Sequence, residues 1–286
     1  MLKKQVWIAV LVALTVSAMA LPAIADALSP ISVSGFNRDV MFGPDGGVGG
    51  GYANNLAPTA TSTWTMYSEG TIDKNNLTYP GTGLPIGNFT SQLDATHTYS
   101  FASAGGIDES DNALNLQWDA TSTLTLATPG QYDSIGVLST MAAGGGGGSA
   151  ALVLHYSDGS TSSGLTYSSY DYYNGGIDSG NRAVKFSRCQ GGINNGGSGG
   201  LDQCNIVNDQ YLNAFWVYES VVPVDPTKTL VSIDFTGVHP AVPNGSNIAF
   251  TSVLAVSGAA VPEPASLALL AGGLLGLLAY VWRKRK

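Results

Sequence analysis

Apolar and polar residues alternate in short runs along most of the chain. Ser122-Thr123-Leu124-Thr125-Leu126 puts its two leucines on one face. Leu152, Leu154 and Tyr156 share a face, with Val153 and His155 on the other. Val231, Ile233 and Phe235 point one way, Ser232 and Asp234 the other. Ile248, Phe250, Leu254 and Val256 are expected together on one face of a last strand. A period of two marks half-buried strands, because successive side chains in a strand point to opposite faces. Thr128-Pro129-Gly130 and Ser157-Asp158-Gly159 read as turns between such strands. No long 3.6-residue period precedes the C-terminal tail, and no strand–helix alternation suggests a parallel sheet. The pattern predicts an all-β body.

The two ends break this pattern. Lys3 and Lys4 precede an apolar run from Val6 to Met19 interrupted only by Thr15 and Ser17, and Ala23-Ile24-Ala25 offers small residues for cleavage. Those parts make residues 1–25 a signal peptide with an N-terminal signal helix, cut by signal peptidase before Asp26. Ala18-Met19-Ala20 is a second cleavage candidate, and an uncleaved anchor is the alternative. At the other end Ala265 to Trp282 runs for 18 residues without a charge. A helix rising about 1.5 Å per residue makes that about 27 Å, enough for a bilayer core. The tail Arg283, Lys284, Arg285 and Lys286 should stay cytoplasmic by the positive-inside rule, leaving the body outside. Tyr280 and Trp282 suit an interfacial aromatic belt. The alternative is a buried core helix, for which the terminal cations leave no packing partner.

Pro262-Glu263-Pro264, then the apolar helix, then the basic cluster, all within residues 259–286, resemble the PEP-CTERM sorting signal of Gram-negative bacteria. The resemblance implies recognition by exosortase, a membrane-embedded cysteine protease-transpeptidase, and loss of the helix. It also implies transient anchoring in the inner membrane, then export to the cell surface or an extracellular matrix. Both prolines disfavour helix at the residue before them, which leaves an extended strip for a protease to grip. A second resemblance lies in the body. TLTLATPGQYDSIGVLSTMAAGGGGGSAALVLHYSDGST (residues 123–161), DPTKTLVSIDF (225–235) and IAFTSVLAVSG (248–258) resemble, in strand order and turn placement, a galactose-binding-like jelly roll. It implies one β-sandwich over residues 26–258, with the segment from GFNRDVMFG onward supplying the first strands. The glycine run 144–148 and the glycine-rich insert 191–200 depart from that pattern.

Composition narrows the chemistry. The chain of 286 residues has 37 glycines and only 11% charged residues, a balance that favours strands and turns over long surface helices. Its 44% hydrophobic residues suffice for a large core. Setting aside Lys3, Lys4 and the four C-terminal cations leaves 6 basic against 20 acidic residues, a net of −14. Such a surface repels phosphate backbones, so nucleic acid is excluded as a partner. Cys189 and Cys204 flank a loop of glycine and asparagine; export permits a disulfide, and closing about 15 residues would stabilise by roughly 3 kcal/mol. A metal pair is the alternative, but zinc needs more ligands than these two.

Catalytic signatures are scarce. The three histidines, His97, His155 and His239, form no metal-type repeat, and neither a G-x-S-x-G elbow nor a phosphate loop occurs. Asp108, Glu109 and Asp111 could contribute to a structural Ca²⁺ site, an ion that takes about six to eight oxygens, or form a solvated acidic loop. No other cofactor is implied. Tyr167, Tyr170, Tyr172 and Tyr173 cluster densely; their flat rings could stack on a sugar or close the sandwich, with Asp171-Tyr172 at the closing position of the resembled fold. The sequence therefore predicts a non-enzymatic, exported β-sandwich with an extracellular polysaccharide as candidate ligand. The alternatives are a secreted glycan hydrolase, which would need two carboxylates facing each other in a cleft, and a purely structural matrix protein.

Overall fold

A computed structural model describes residues 27–43, 53–54, 64–72, 76–102, 111–142, 146–172, 180–193, 200–206, 215–239, 249–261 and 264–284. The signal peptide expected at residues 1–25 lies outside the described residues. The body is built of antiparallel sheets. One sheet runs Ser29–Pro30, Phe250–Ala260, Tyr132–Ala142, Phe215–Pro223, Arg182–Phe186, with Leu114–Gln117 also paired to Phe250–Ala260. A second runs Thr161–Tyr170, Gly147–Tyr156, Leu230–Thr236, Thr121–Gly130, Val33–Ser34. The two face each other across a core that includes Leu124, Leu126, Ile135, Val137, Leu152, Leu154, Ile233, Phe235, Val253 and Val256. The alternating leucines of Thr121–Gly130 and Gly147–Tyr156 thus lie on inner faces. Ser29 pairs with Gly258, so the first and last strands of the described body are neighbours.

The first sheet is covered on its outer face as well. Leu28, Val40, Met66, Leu84, Tyr99, Phe186, Phe215, Val217, Phe250 and Leu254 make a second core there. Segments between residues 28 and 101 supply much of this cover. A side sheet of Met41–Phe42, Trp64–Tyr67, Cys189–Ile193, Gly200–Ile206 and Ala53–Asn54 adds a small cluster of Phe42, Tyr67, Cys189 and Ile206. Phe250–Ala260, central to the first sheet, is therefore buried along all but its last residue.

Two departures from strict alternation have a physical cause. Leu138 pairs with Ala255 but Ser139 pairs with Val253, so Leu254 is an extra residue, a β-bulge. The bulge turns Leu254 to the outer core while Val253 and Val256 stay in the sandwich. Phe250 and Leu254 thus share a face that Val256 does not, which corrects the single-face expectation; Ile248 lies outside the described residues. In Leu230–Thr236 a register shift between Leu230 and Ser232 buries Leu230 fully and leaves Val231 half-buried. The turn expected at Thr128-Pro129-Gly130 is displaced: these residues continue the strand, and the chain reverses at Gln131. Ser157-Asp158-Gly159 does turn, with Gly159 at φ 79°, and Asp158 Oδ1 accepts bonds from the Ser160 amide at 2.9 Å and hydroxyl at 2.5 Å.

Pro264–Lys284 forms one 21-residue α-helix, with Arg283 and Lys284 in its last turn. Leu274, Leu275, Leu277, Leu278 and Trp282 are exposed on it. No helix among the described residues qualifies as a membrane span by length and hydropathy together. In this helix only residues 272–278 and 280–284 have described side chains.

Candidate functional site

A chemically varied surface lies where the open edges of the two sheets meet. Along Phe215–Pro223, strand alternation sends Phe215, Val217 and Glu219 outward and Trp216, Tyr218, Ser220 and Val222 toward the opposing sheet. Val222 lies in the sandwich core. The Ser220 hydroxyl accepts a bond from the Ser168 amide at 2.9 Å and lies 3.2 Å from the Ser168 carbonyl, stitching the sheets together. Nearer the edge, the Tyr218 and Tyr170 rings pack at 5.1 Å, and the Tyr218 hydroxyl donates to the Asp171 carbonyl at 3.3 Å. Trp216 follows at the rim, half-buried.

The edge strand Arg182–Phe186 completes this rim. Lys185 sits opposite Trp216 and Arg182 opposite Tyr218. Both cations gather over one indole: the Arg182 guanidinium is 5.2 Å and the Lys185 ammonium 5.7 Å from the Trp216 ring centre. A register shift between Arg182 and Val184 lets Ala183 and Val184 both enter the outer core while Arg182 and Lys185 stay on the Trp216 side. On the other face Arg188 stacks 4.8 Å from the Phe215 ring centre and donates to the Tyr172 hydroxyl at 3.4 Å. Arg182, Lys185 and Arg188 are half of the six basic residues that lie between residue 25 and the C-terminal cluster starting at Arg283. The arrangement can offer a flat ring, a phenol and charged donors to a polar ligand.

Of the described tyrosines singled out by sequence, only Tyr170 belongs to this rim. Tyr167 is buried, edge-on to Phe235 at 5.5 Å, and its hydroxyl donates to the Thr236 carbonyl at 2.7 Å. Burial pushes its phenol pKa upward. Tyr172 is buried against Phe215 at 5.3 Å. These two rings pack the sandwich rather than face a ligand, because alternation along Thr161–Tyr170 turns Tyr167 inward and the bond from the Tyr172 amide to the Met141 carbonyl, 2.9 Å, draws that ring into the outer core. Tyr173 lies outside the described residues. Trp216, Arg182 and Lys185 were missed by sequence reasoning; the alternation of FWVYESVV was the signal that could have found Trp216 beside Tyr218.

The histidines serve pairing. His97 Nδ1 bonds the buried Glu219 carboxylate, whose other oxygen accepts the Ser91 hydroxyl at 2.5 Å. The serine hydroxyl thus engages the carboxylate and not the imidazole, so the trio is no nucleophile–base pair. Tyr99, fully buried close by, has its phenol pKa raised by burial and by the Glu219 charge. Its hydroxyl lies outside hydrogen-bonding geometry. His155 bonds Asp234 at 2.8 Å, and Asp234 accepts the Thr123 hydroxyl at 2.5 Å. Partial burial raises the Asp234 pKa, but the bonds from Thr123 and His155 outweigh it and the net shift is downward. His239 stacks on Trp118 at 4.5 Å and pairs with Asp119 at 3.1 Å.

Asp108 and Glu109 lie outside the described residues, and Asp111 is exposed. Among the described residues no group of three or more His, Cys, Asp or Glu side chains could hold a metal ion. Cys189 is buried, its Sγ 3.8 Å from the Met66 carbonyl. Its strand partner is Ile206, while Cys204 pairs with Gly191, so the two cysteines are diagonal neighbours on adjacent antiparallel strands. Of Cys204 only the backbone is described.

The fold defines an all-β sandwich body carried on a C-terminal helix. Residues 260–286 match the PEP-CTERM protein-sorting motif. Pro262, Glu263 and Pro264 begin that match, and Arg283 to Lys286 end it. The motif marks this chain as an exported protein, a membrane-anchored precursor that exosortase processes and sorts toward the cell surface. None of the curated proteins matches the chain at a significant level.

Proposed function

We propose that this protein is a non-enzymatic surface or matrix protein of a Gram-negative bacterium, and that its sandwich binds an extracellular saccharide at the Trp216 rim. The observation that carries the binding reading is the convergence of Arg182 and Lys185 on a half-buried indole beside an open sheet edge, with the Tyr170 ring packed on Tyr218 two residues further along the same strand. Aromatic faces stack on the apolar faces of sugar rings, while cations and phenols serve hydroxyl and carboxylate groups. A galactose-binding-like jelly roll is supported by strand order. One sheet alternates Leu114–Gln117, Phe250–Ala260, Tyr132–Ala142, Phe215–Pro223, and the other Thr121–Gly130, Leu230–Thr236, Gly147–Tyr156, Thr161–Tyr170. These are eight strands in two interleaved Greek keys.

Pro264–Lys284 acts as the transient inner-membrane anchor: 18 uncharged residues from Ala265 to Trp282, exposed leucines and a basic end all suit lipid on one side and cytoplasm on the other. The Cys189–Cys204 bridge belongs to the same reading: their strands are already paired, and closing it requires backbone movement that draws diagonal neighbours, about 7–8 Å apart, together. Structural Ca²⁺ at Asp108, Glu109 and Asp111 remains a proposal, tested by calcium titration of the melting temperature. The experiment for the saccharide reading is a glycan-array screen of the exported protein beside its Trp216→Ala variant. Binding by the parent and its loss in the variant support the reading; a blank array, or equal binding by both, contradicts it.

A further inference from the structure

The sorting motif begins where the sheet ends. Phe250–Ala260 stays paired with Tyr132–Ala142 up to its last residue, Ala260 opposite Tyr132, with a register shift between Tyr132 and Ser134. On its other side Gly258 pairs with Ser29 and Ser257 with Pro30. The Val261 amide then donates to the Gln131 carbonyl at 3.0 Å, and the helix starts at Pro264. Three residue steps separate that last hydrogen bond from the first helical residue, a reach of about 10 Å when extended.

The strand end is also held by a side chain. A Cβ on Gly258 would lie 2.4 Å from the Tyr132 ring and 2.8 Å from Ile31, so the ring covers that backbone closely. A Cβ on Gly130 would lie 2.8 Å from the Tyr132 hydroxyl. The ring therefore spans two glycines, one on the last strand and one at the end of Thr121–Gly130. Burial of this phenol raises its pKa.

We infer that the closed end of the last strand, latched by Tyr132 over Gly258, sets when the tail can be processed. An enzyme that removes the helix must cut the chain between sheet and helix, and must hold residues on both sides of the bond it cuts. With the strand closed, the residues on the body side are committed to Tyr132–Ala142 and Ser29–Pro30, and the sandwich stands against the membrane face where the enzyme works. With the strand open, several more residues become extended and reachable. Processing and closure of Ala259–Val261 then compete: the tail is cut before the strand closes, or when its end frays. This rests on processing of the tail by exosortase.

The test is a pulse–chase of the full chain in an exosortase-containing host, with precursor and mature forms separated by mass. The parent should show an early phase of processing that slows as the body folds. A variant with ten Gly/Ser residues inserted between Val261 and Pro262 leaves the sheet untouched and should keep the early rate, so that folded precursor is processed several-fold faster. Tyr132→Ala should act in the same direction, read beside the insertion because it also disturbs packing. Identical processing curves for parent and insertion variant would overturn the latch. No processing of either chain would overturn the sorting reading itself, and the latch with it.

Discussion

Glu219 is a buried carboxylate, and its partners decide what that costs. His97 and Ser91 each take one oxygen, which joins the Asn88–Thr90 and Thr98–Ser100 hairpin region to the central strand Phe215–Pro223. Removing one partner of a buried pair leaves the other charge uncompensated, a loss of roughly 3–5 kcal/mol. His97→Ala should therefore lower the urea midpoint strongly. The double variant His97→Ala/Glu219→Gln should recover part of the loss, and additive losses would show that the two residues are not coupled. Trp216→Ala is expected to behave oppositely: its ring is at the rim, so it should abolish saccharide binding while leaving the melting temperature nearly unchanged. The acidic turns give a further residue-scale prediction. Asp94, Asp158 and Asp225 each accept bonds from the amide and hydroxyl two residues on, and their pKa values lie below normal for that reason. Groups depressed in the fold stabilise it above the unfolded carboxylate pKa of about 3.9, and that stability is lost as pH falls through the folded values. Melting temperature should thus fall in acid below about pH 4, and a flat profile there would contradict the assignment.

At the scale of elements, the last strand matters most because it is buried on both faces. Truncation at Gly237 removes Phe250 and Leu254 from one core and Val253 and Val256 from the other. Large apolar side chains contribute about 1.5–3 kcal/mol each against a total of about 5–15 kcal/mol, so this truncation should unfold the body or drive it to aggregate. Removal of 264–286 should cost little, and circular dichroism melts of the two truncations check both statements. The inner leucines of Thr121–Gly130 and Gly147–Tyr156 were legible in sequence because both strands keep a strict period of two. The last strand was not, since the bulge at Leu254 depends on pairing with Leu138 and Ser139, more than a hundred residues away. The second core was hidden for a related reason. Two-sided burial erases alternation, and nothing in SVLAVSGAA says which face meets which layer. The rim was half-legible: Tyr170 was found in a run of tyrosines, but its ring partner Tyr218 and the group of Trp216, Arg182 and Lys185 come from other strands. The diagonal cysteines belong to this scale too. Non-reducing peptide mapping of exported protein should recover a linked Cys189–Cys204 pair, and two alkylated thiols would refute it.

For the whole molecule, two chemistries are joined end to end with almost nothing between them. The body is acidic and strand-built; the tail is apolar, helical and cationic at its tip. The sheet pairs Ser29 with Gly258, so the residues that follow the expected signal peptide and those that precede the sorting motif are neighbours in the folded protein. Cleavage at both ends would leave a closed sandwich with neither apolar leader nor exposed leucine helix, a form suited to life outside the membrane. The most direct test is the intact mass of the protein recovered from the cell surface or matrix. The expected chain begins at Asp26 and has lost the helix that starts at Pro264. A surface form that still carries residues 265–286 would contradict it.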